Sequence, residues 1–472
     1  MKLDYLIEEM LNEAGIENIR KLAKVHSKAV ILYHIDFDGV ASCSGLKHIL
    51  ENEYRIKVTE VIPIQYGGRQ FAIKKINDPD TLVCLVDFAQ AVANVHLWTD
   101  HHSGEKAGVK SDMSTAFIDA PANAYHISTK MSKRDVFPPE DLKMISVIDS
   151  ADFYKEGLTP DDIMRAAFGL DKSIDVKTNK RNLGLVVNKL ILSYKNKPDF
   201  LNKLIMQSKP SLISMYNVIR RLAKQEGYNP PEKVEQEQQA YIQQQKDAIV
   251  KLSSAKEVET LGSGQNGMLG DVVVQYGGGK MGKGVQFDRY TVFKNHPEAK
   301  YLVMMWPMGM LQISANPFRE KNTKVNFEQV AMKVLSNYES KWKSDMISLK
   351  NLKRIQEQDV TKKGLDDAVG YTFDNLINTF SPGQIQGIDV EKTGKWRDIV
   401  QDIANKKFKD LSSKQKDILD KVKVSIWDVI MASSGGHSTA IWNISFLNGL
   451  GKGYVDIMKK IGAQIVKEMN KL

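Results

Sequence analysis

Three short apolar runs, rich in β-branched residues, each end on a side chain able to carry charge or bind a metal. Ala29 to Tyr33 leads into His34-Ile-Asp-Phe-Asp-Gly, Thr81 to Val86 stops at Asp87, and Val95 to Thr99 stops at Asp100. Runs with no alternation of apolar and polar residues suit strands buried on both faces, as in a parallel sheet covered by helices. Lys57 to Pro63 is a further strand, and helices are expected over Val40 to Leu50, Pro139 to Ala151 and Pro160 to Phe168. The fold class is therefore α/β, with a parallel-sheet N-terminal domain. In open sheets of this kind ligands bind outside the carboxyl ends of the strands, where this pattern places the acids and imidazoles.

A chain of 472 residues exceeds what one core usually supports. The reading is a catalytic domain over 1–165, a helical linker over 166–257, and a smaller α/β C-terminal domain over 258–472 with a helical insertion at about 320–425. The linker is rich in Lys, Gln and Leu, and its Gln cluster after Glu235 fits a solvated helix face. In the second domain Asp271 to Tyr276, Val285 to Phe293 and Tyr301 to Trp306 read as strands, with a hairpin through Pro307-Met-Gly into Met310 to Ser314. The Gly-rich piece Gly277 to Gly284 lacks a Gly-Lys-Ser/Thr ending, which favours a hairpin loop over a phosphate loop. Ser433 to Ser438 reads as a strand-poor, Gly-rich turn before a final amphipathic helix over Tyr454 to Leu472.

Cys43 and Cys84 are the only cysteines, too few for a disulfide framework and without zinc-site spacing, so a reducing, cytoplasmic location is expected. The first fifteen residues read as an amphipathic acidic helix rather than a signal peptide, and no apolar stretch approaches the ~20 residues of a membrane span. The balance of 66 Lys plus Arg against 57 Asp plus Glu, +9 overall, is compatible both with a polyanionic substrate and with solvated lysines.

The motifs decide more. Alternate residues at a strand end point the same way, so His34, Asp36 and Asp38 can share a pocket while Ile35 and Phe37 pack behind them. Gly39 permits a tight backbone turn, and Ser42 can hydrogen-bond at the helix start. Oxygen ligands with a minority of imidazole suit Mn²⁺ or Mg²⁺ better than zinc or copper. Asp87, on a buried strand beside other carboxylates, requires cations to relieve the repulsion. Asp100-His101-His102 follows at another strand end, where one histidine can ligate while the other faces substrate or a supporting group. His96 reads as an ordinary half-exposed residue.

In this order the motifs resemble the DHH phosphoesterase superfamily, which includes RecJ-type single-strand exonucleases, oligoribonucleases, cyclic dinucleotide phosphodiesterases and manganese pyrophosphatases. The residues that carry the resemblance are His34-x-Asp36-x-Asp38-Gly39, Asp87, and Asp100-His101-His102. It implies a further acid after an apolar helix; Asp149 is preferred because it follows Ile145 to Ile148 directly, and Asp152 is the alternative. It also implies a C-terminal domain whose Gly-Gly-His loop grips phosphate, matched by Gly435-Gly436-His437, with Arg319 as a possible further phosphate contact where Asn316 replaces the family's arginine.

The resemblance implies two divalent cations, Mn²⁺ preferred and Mg²⁺ possible, about 4 Å apart. Asp87 would bridge them, with His34, Asp36, Asp38, Asp100, His101 and Asp149 as further ligands and Asp87, His101 and His102 as the catalytic set. The expected substrate is single-stranded DNA or RNA; short oligonucleotides or cyclic dinucleotides are the alternative. Tyr276, Phe287, Tyr290 and Trp306 can stack bases, although core packing is the favoured reading for them. Oligomeric state is left open.

Overall fold

The structure is a computed structural model that describes residues 17–64, 78–88, 95–101, 114–117, 120–166, 179–195, 197–225, 250–251, 257–262, 265–277, 289–306, 310–320, 327–338, 346–348, 350–351, 406, 408–421, 423–425, 434–436, 439–443 and 454–472. The described residues up to 225 belong to one compact unit and those from 250 to another. The expected acidic helix at the N-terminus, the Gln cluster, the loop after Gly277 and the whole segment 352–405 lie outside the described residues.

The first unit is built on β1 (Lys28–His34), β2 (Lys57–Ile64), β3 (Thr81–Val86), β4 (Leu97–Asp100) and β5 (Ser114–Phe117). All neighbouring pairs are parallel and the strand order is β2-β1-β3-β4-β5. Every residue of β3 is buried, and in β1 only the two ends are not, the two-sided burial that the unbroken apolar runs require. The order reverses between β1 and β3, and the cleft beyond the carboxyl ends at such a switch is where doubly wound sheets bind ligands.

α1 (Phe37–Asn52) leaves β1 directly and is buried along almost its whole first three turns. Asp36 caps it, its Oδ1 accepting from Gly39 N–H at 2.8 Å. At Gly39 the helix runs so close to β1 that a Cβ would overlap the His34 carbonyl oxygen. Four further helices follow: α2 (Asn123–Lys130), α3 (Pro139–Asp149), α4 (Pro160–Ala166) and α5 (Lys180–Ser193). They are followed by α6 (Pro198–Gln207) and α7 (Leu212–Gln225).

The helices expected as a linker pack on this unit. α5 lies against α3, and α6 against β2 and α1. Tyr33 OH donates to Asn202 Oδ1 at 2.9 Å, and buried Asp141 accepts from Leu212 N–H at 2.9 Å, tying α3 to the start of α7. Their apolar stripes, such as Met215, Ile219 and Leu222 of α7, are therefore core.

The second unit is a seven-stranded sheet built from β6 (Val250–Lys251), β7 (Gln265–Leu269), β8 (Val272–Tyr276), β9 (Tyr301–Trp306) and β10 (Met310–Ala315), with β13 and β14 below. Val285 to Phe293 is not a strand: α8 (Arg289–Asn295) occupies the described part of it. The reason is topological, because β8 and β9 are parallel neighbours and cannot be joined by a hairpin. The helix crosses over and buries Val292 and Phe293 against Val273, Leu302 and Met304. β9 and β10 form the expected antiparallel hairpin.

The stretch expected as a helical insertion contains α9 (Phe327–Ser336), β11 (Met346–Ser348), α10 (Ser413–Lys421) and β12 (Lys423–Ser425). β11 and β12 pair into a separate antiparallel ribbon, so the described part is not purely helical. The Gly-rich turn is likewise strand-bearing: β13 (Ser434–Gly436) and β14 (Thr439–Asn443) form a hairpin at the edge of the seven-stranded sheet, with β14 against β10. The closing helix α11 (Tyr454–Met469) leads into Asn470, which clamps the β7–β8 turn: its Oδ1 accepts from Asp271 N–H at 2.9 Å and its Nδ2 donates to the Leu269 carbonyl at 2.8 Å.

Among the described residues no helix is long and apolar enough to cross a membrane. Gly39→Ala is expected to destabilise the first unit by about 1–3 kcal/mol, the cost of forcing a methyl group into a filled space. Chemical denaturation monitored by far-UV circular dichroism checks this, and an unchanged midpoint would refute the close approach at His34.

Candidate metal centre

Each strand end contributes in turn. His34 closes β1 and Asp36 caps α1, with His34 Nδ1 at 2.7 Å from Asp36 Oδ2. Asp38 lies in the first turn of α1 and is fully buried. Its carboxylate sits at the start of α2: Oδ2 accepts from Asn123 N–H at 2.6 Å and Oδ1 from Ala124 N–H at 2.9 Å. Asp38 therefore occupies the position an N-cap side chain would fill, which the cap residue of α2, Ala122, cannot.

Asp87 follows β3 and is almost completely buried. Its φ of 54° lies in the left-handed region, a conformation that Asp tolerates better than most residues but that is still uncommon. The backbone is held by a bond from Asp87 N–H to the Thr99 carbonyl at 2.9 Å. This turn aims the two carboxylate oxygens at two different imidazoles: Oδ2 lies 3.7 Å from His34 Nδ1 and Oδ1 lies 3.5 Å from His101 Nε2.

His101 follows β4. Its Nδ1 is 3.0 Å from the Ala120 carbonyl; a carbonyl only accepts, so Nδ1 carries a proton in either charge state, and Nε2 is the nitrogen that faces the acids, offering a lone pair once its own proton is lost. Around Nε2 lie Asp149 Oδ2 at 3.3 Å, Asp87 Oδ1 at 3.5 Å and Asp38 Oδ2 at 3.6 Å. Asp149 is the last residue of α3, whereas Asp152 pairs with Lys155 at 2.5 Å. Geometry thus brings Asp149 to the cluster and engages Asp152 elsewhere.

Two ligand groups result, His34 with Asp36 and Asp87, and Asp38 with His101 and Asp149; within each the donor atoms lie within 4.8 Å of one another. Each offers one imidazole nitrogen and two carboxylates, a donor set that fits Mn²⁺ or Mg²⁺ and lacks the thiolates favoured by softer ions. Asp100 is buried at the end of β4 but does not enter either group. The two cysteines are buried and free, and burial pushes the Cys84 thiol far above its ordinary range. His96 is tied down: its Nδ1 accepts from Val83 N–H at 3.0 Å, and its ring lies 4.9 Å from that of His26.

The electrostatics match a centre that exchanges protons for cations. Burial opposes charging His101, but the hydrogen bond to Asp87 and the carboxylates of Asp149 and Asp38 outweigh it and lift the imidazolium to about 11. His34 is likewise raised, burial being overcome by Asp36 and then Asp87. Burial, followed by the neighbouring Asp87 and Asp149, holds the Asp38 carboxyl well above the usual carboxylate range. His126, on α2, is pushed the other way, to about 4, by burial and then by Lys130 and His101.

The remaining expected site residues are placed as follows. His102 and His437 lie outside the described residues. Gly435 and Gly436 are in β13, paired with Ala440 and Thr439. Arg319 donates to the Glu298 carbonyl, and Asn316 locks its own turn, donating to Ala299 O at 2.8 Å and accepting from Phe318 N–H at 3.0 Å. Of the aromatic candidates, Tyr276 is buried, Trp306 packs on the core of the second unit, and Tyr290 meets Phe318 edge-on at 5.9 Å, all consistent with packing; Phe287 lies outside the described residues. Sequence reasoning missed Asn123 and the Ala120 carbonyl. Both lie just beyond β5, a strand that sequence patterning did not single out.

Because ligands bind cations in their deprotonated forms, a divalent cation such as Mn²⁺ entering this cluster would have to displace the protons that it holds near neutrality. Apparent affinity is expected to rise with pH between 6 and 8, by roughly tenfold per unit for each proton displaced. Titration calorimetry in two buffers of different protonation enthalpy measures the release; a proton count of zero would contradict the protonated cluster.

No protein-family model and no curated protein matches the chain. Among solved structures, RecJ in complex with Mn²⁺ from Thermus thermophilus is similar at 10% sequence identity and a TM-score of 0.39, over 71% of this chain and 50% of that one. An exonuclease RecJ bound to manganese is similar at 12% identity and a TM-score of 0.36, over 71% of this chain and 87% of that one. The DHH domain of a protein described as a member of a ribosomal-protein family is similar at 12% identity and a TM-score of 0.32, over 71% of this chain and 90% of that one. This chain spans about half the length of the Thermus protein it matches. The solved structures that it resembles in fold thus include RecJ-type and DHH-domain proteins.

Proposed function

We propose that the chain is a phosphoesterase of the DHH superfamily that uses two divalent cations, Mn²⁺ by preference, to hydrolyse phosphodiester bonds. The observation that carries this reading is Asp87, one carboxylate whose two oxygens face two separate imidazole–carboxylate groups. A carboxylate so placed suits a bridging role, with His34 and Asp36 on one side and Asp38, His101 and Asp149 on the other. Cations bound there supply Lewis acidity toward phosphoryl oxygens and lower the pKa of water.

The chain's own residues do the rest. Burial of Asp38, Asp87 and His101 keeps bulk water from screening the charges. The Ala120 carbonyl fixes the His101 tautomer, so the imidazole cannot turn away from the pocket. The left-handed turn at Asp87 is a local strain retained at a site where two groups must be addressed at once. Asp100, buried at the end of β4, is kept as a candidate ligand, and His102 is assigned the substrate side or the role of general acid. Gly435, Gly436 and His437 are assigned to phosphate, with Arg319 as a further candidate.

For substrate we favour single-stranded DNA or RNA, digested as by RecJ-type exonucleases. The net charge of +9 supports it, since phosphate contacts by Lys and Arg dominate affinity for such polymers. The test is a panel of end-labelled single strands, short oligonucleotides, cyclic dinucleotides and pyrophosphate incubated with Mn²⁺. Release of mononucleotides from long single strands, weakening steeply with salt, is the expected result. Turnover confined to dinucleotides or cyclic dinucleotides would replace the polymer reading with the small-substrate one, and no Mn²⁺-dependent turnover of any member would refute the enzyme. Asp87→Asn, which preserves shape and tolerates the left-handed backbone, is expected to lower kcat at least roughly 100-fold, the scale for losing one preorganised electrostatic group. Full activity in that variant would reject Asp87 as the bridge.

A further inference from the structure

Asn123 stands where α1, β4 and α2 meet, and its side chain is fully buried. Besides the backbone bond to Asp38, its Nδ2 donates to Ser42 Oγ at 3.1 Å and to Thr99 Oγ1 at 3.2 Å. Ser42 Oγ in turn donates to Asp38 Oδ1 at 3.4 Å. The direction of this chain is fixed: Ser42 has one proton, and with that proton on Asp38 the hydroxyl must accept from Asn123. One amide therefore orients the hydroxyl that faces Asp38, while the same residue's backbone N–H grips the other carboxylate oxygen. The contacts that assemble His34, Asp36 and Asp87 do not run through the Asn123 side chain.

We propose that Asn123 is a positioning residue for one cation of the pair, setting the plane of the Asp38 carboxylate and so the affinity of the Asp38, His101 and Asp149 group alone. The proposal rests on the metal-centre reading above. Removal of the amide leaves Ser42 free to rotate and the Thr99 hydroxyl without its donor, inside a site too buried for water to substitute readily. The Ser42 hydroxyl then has no amide to fix its direction toward Asp38. The other group should not sense the change.

The test is a Mn²⁺ titration of the full chain, read from the electron paramagnetic resonance signal of free aqueous Mn²⁺. Two ions are expected for the unaltered chain. In Asn123→Ala one ion should bind within about twofold of its original affinity and the other should weaken by roughly 10–100-fold, the range found when partners of metal ligands are removed. Thr99→Val should weaken the same ion by a smaller factor, and the two changes together should do no more than Asn123→Ala alone, because they break one shared network. Equal weakening of both ions, or of neither, overturns the proposal. If Asn123→Ala fails to fold, judged by its circular dichroism spectrum, Thr99→Val decides by itself, and unchanged binding of both ions rejects the role. Uptake of no Mn²⁺ by the unaltered chain would instead overturn the metal centre itself.

Discussion

Mutual repulsion among buried carboxylates is the constraint on which the first unit turns. Asp36, Asp38, Asp87 and Asp149 converge on two imidazoles at the carboxyl edge of a parallel sheet. Solvent cannot screen Asp38 and Asp87, which are almost completely buried. Without cations the cluster balances itself by keeping protons, most clearly on His101, which stays charged to about 11. With cations the same charges would become ligands, making proton and metal occupancy alternatives. The surrounding fold keeps the repelling groups in place. β1, β3 and β4 bring their ends together, α1 starts within reach of His34, and α2 lends its first N–H groups to Asp38.

That last contact gives one residue two duties. The two backbone N–H groups that Asp38 accepts from partly offset the burial and neighbouring acids that disfavour its anion; the same bonds satisfy a helix start that has no cap of its own. The order of the first turn of α2 and the charge state of the centre are thereby linked. Asn123 extends the linkage sideways into α1 and β4.

Much of this was legible in the residues. Unbroken apolar runs ending in His34, Asp87 and Asp100 announced a parallel sheet with a site at one edge, because period-free burial and strand polarity are both local properties. Asp149 could be preferred over Asp152 because it follows the apolar run Ile145 to Ile148 directly. Less visible were features set by topology. Val285 to Phe293 has strand-like composition, yet the parallel pairing of β8 with β9 demands a crossover, and α8 supplies it. Lys180 to Gln225 reads as a connector because its helices are amphipathic, but periodicity shows only that a face is buried, not what buries it. Asn123 carried no motif at all; its importance comes from contacts to residues 81 and 24 positions away in sequence. Asp100, expected as a ligand by its place in the motif, is buried at the strand end outside both groups.

The claim that paired cations are what make this cluster tolerable can be examined directly by anomalous diffraction from crystals grown with Mn²⁺, recorded near the manganese edge. Two peaks are expected, one among His34, Asp36 and Asp87 and one among Asp38, His101 and Asp149, with Asp87 in contact with both. Strand ends that hold no anomalous scatterer at saturating Mn²⁺ would contradict it.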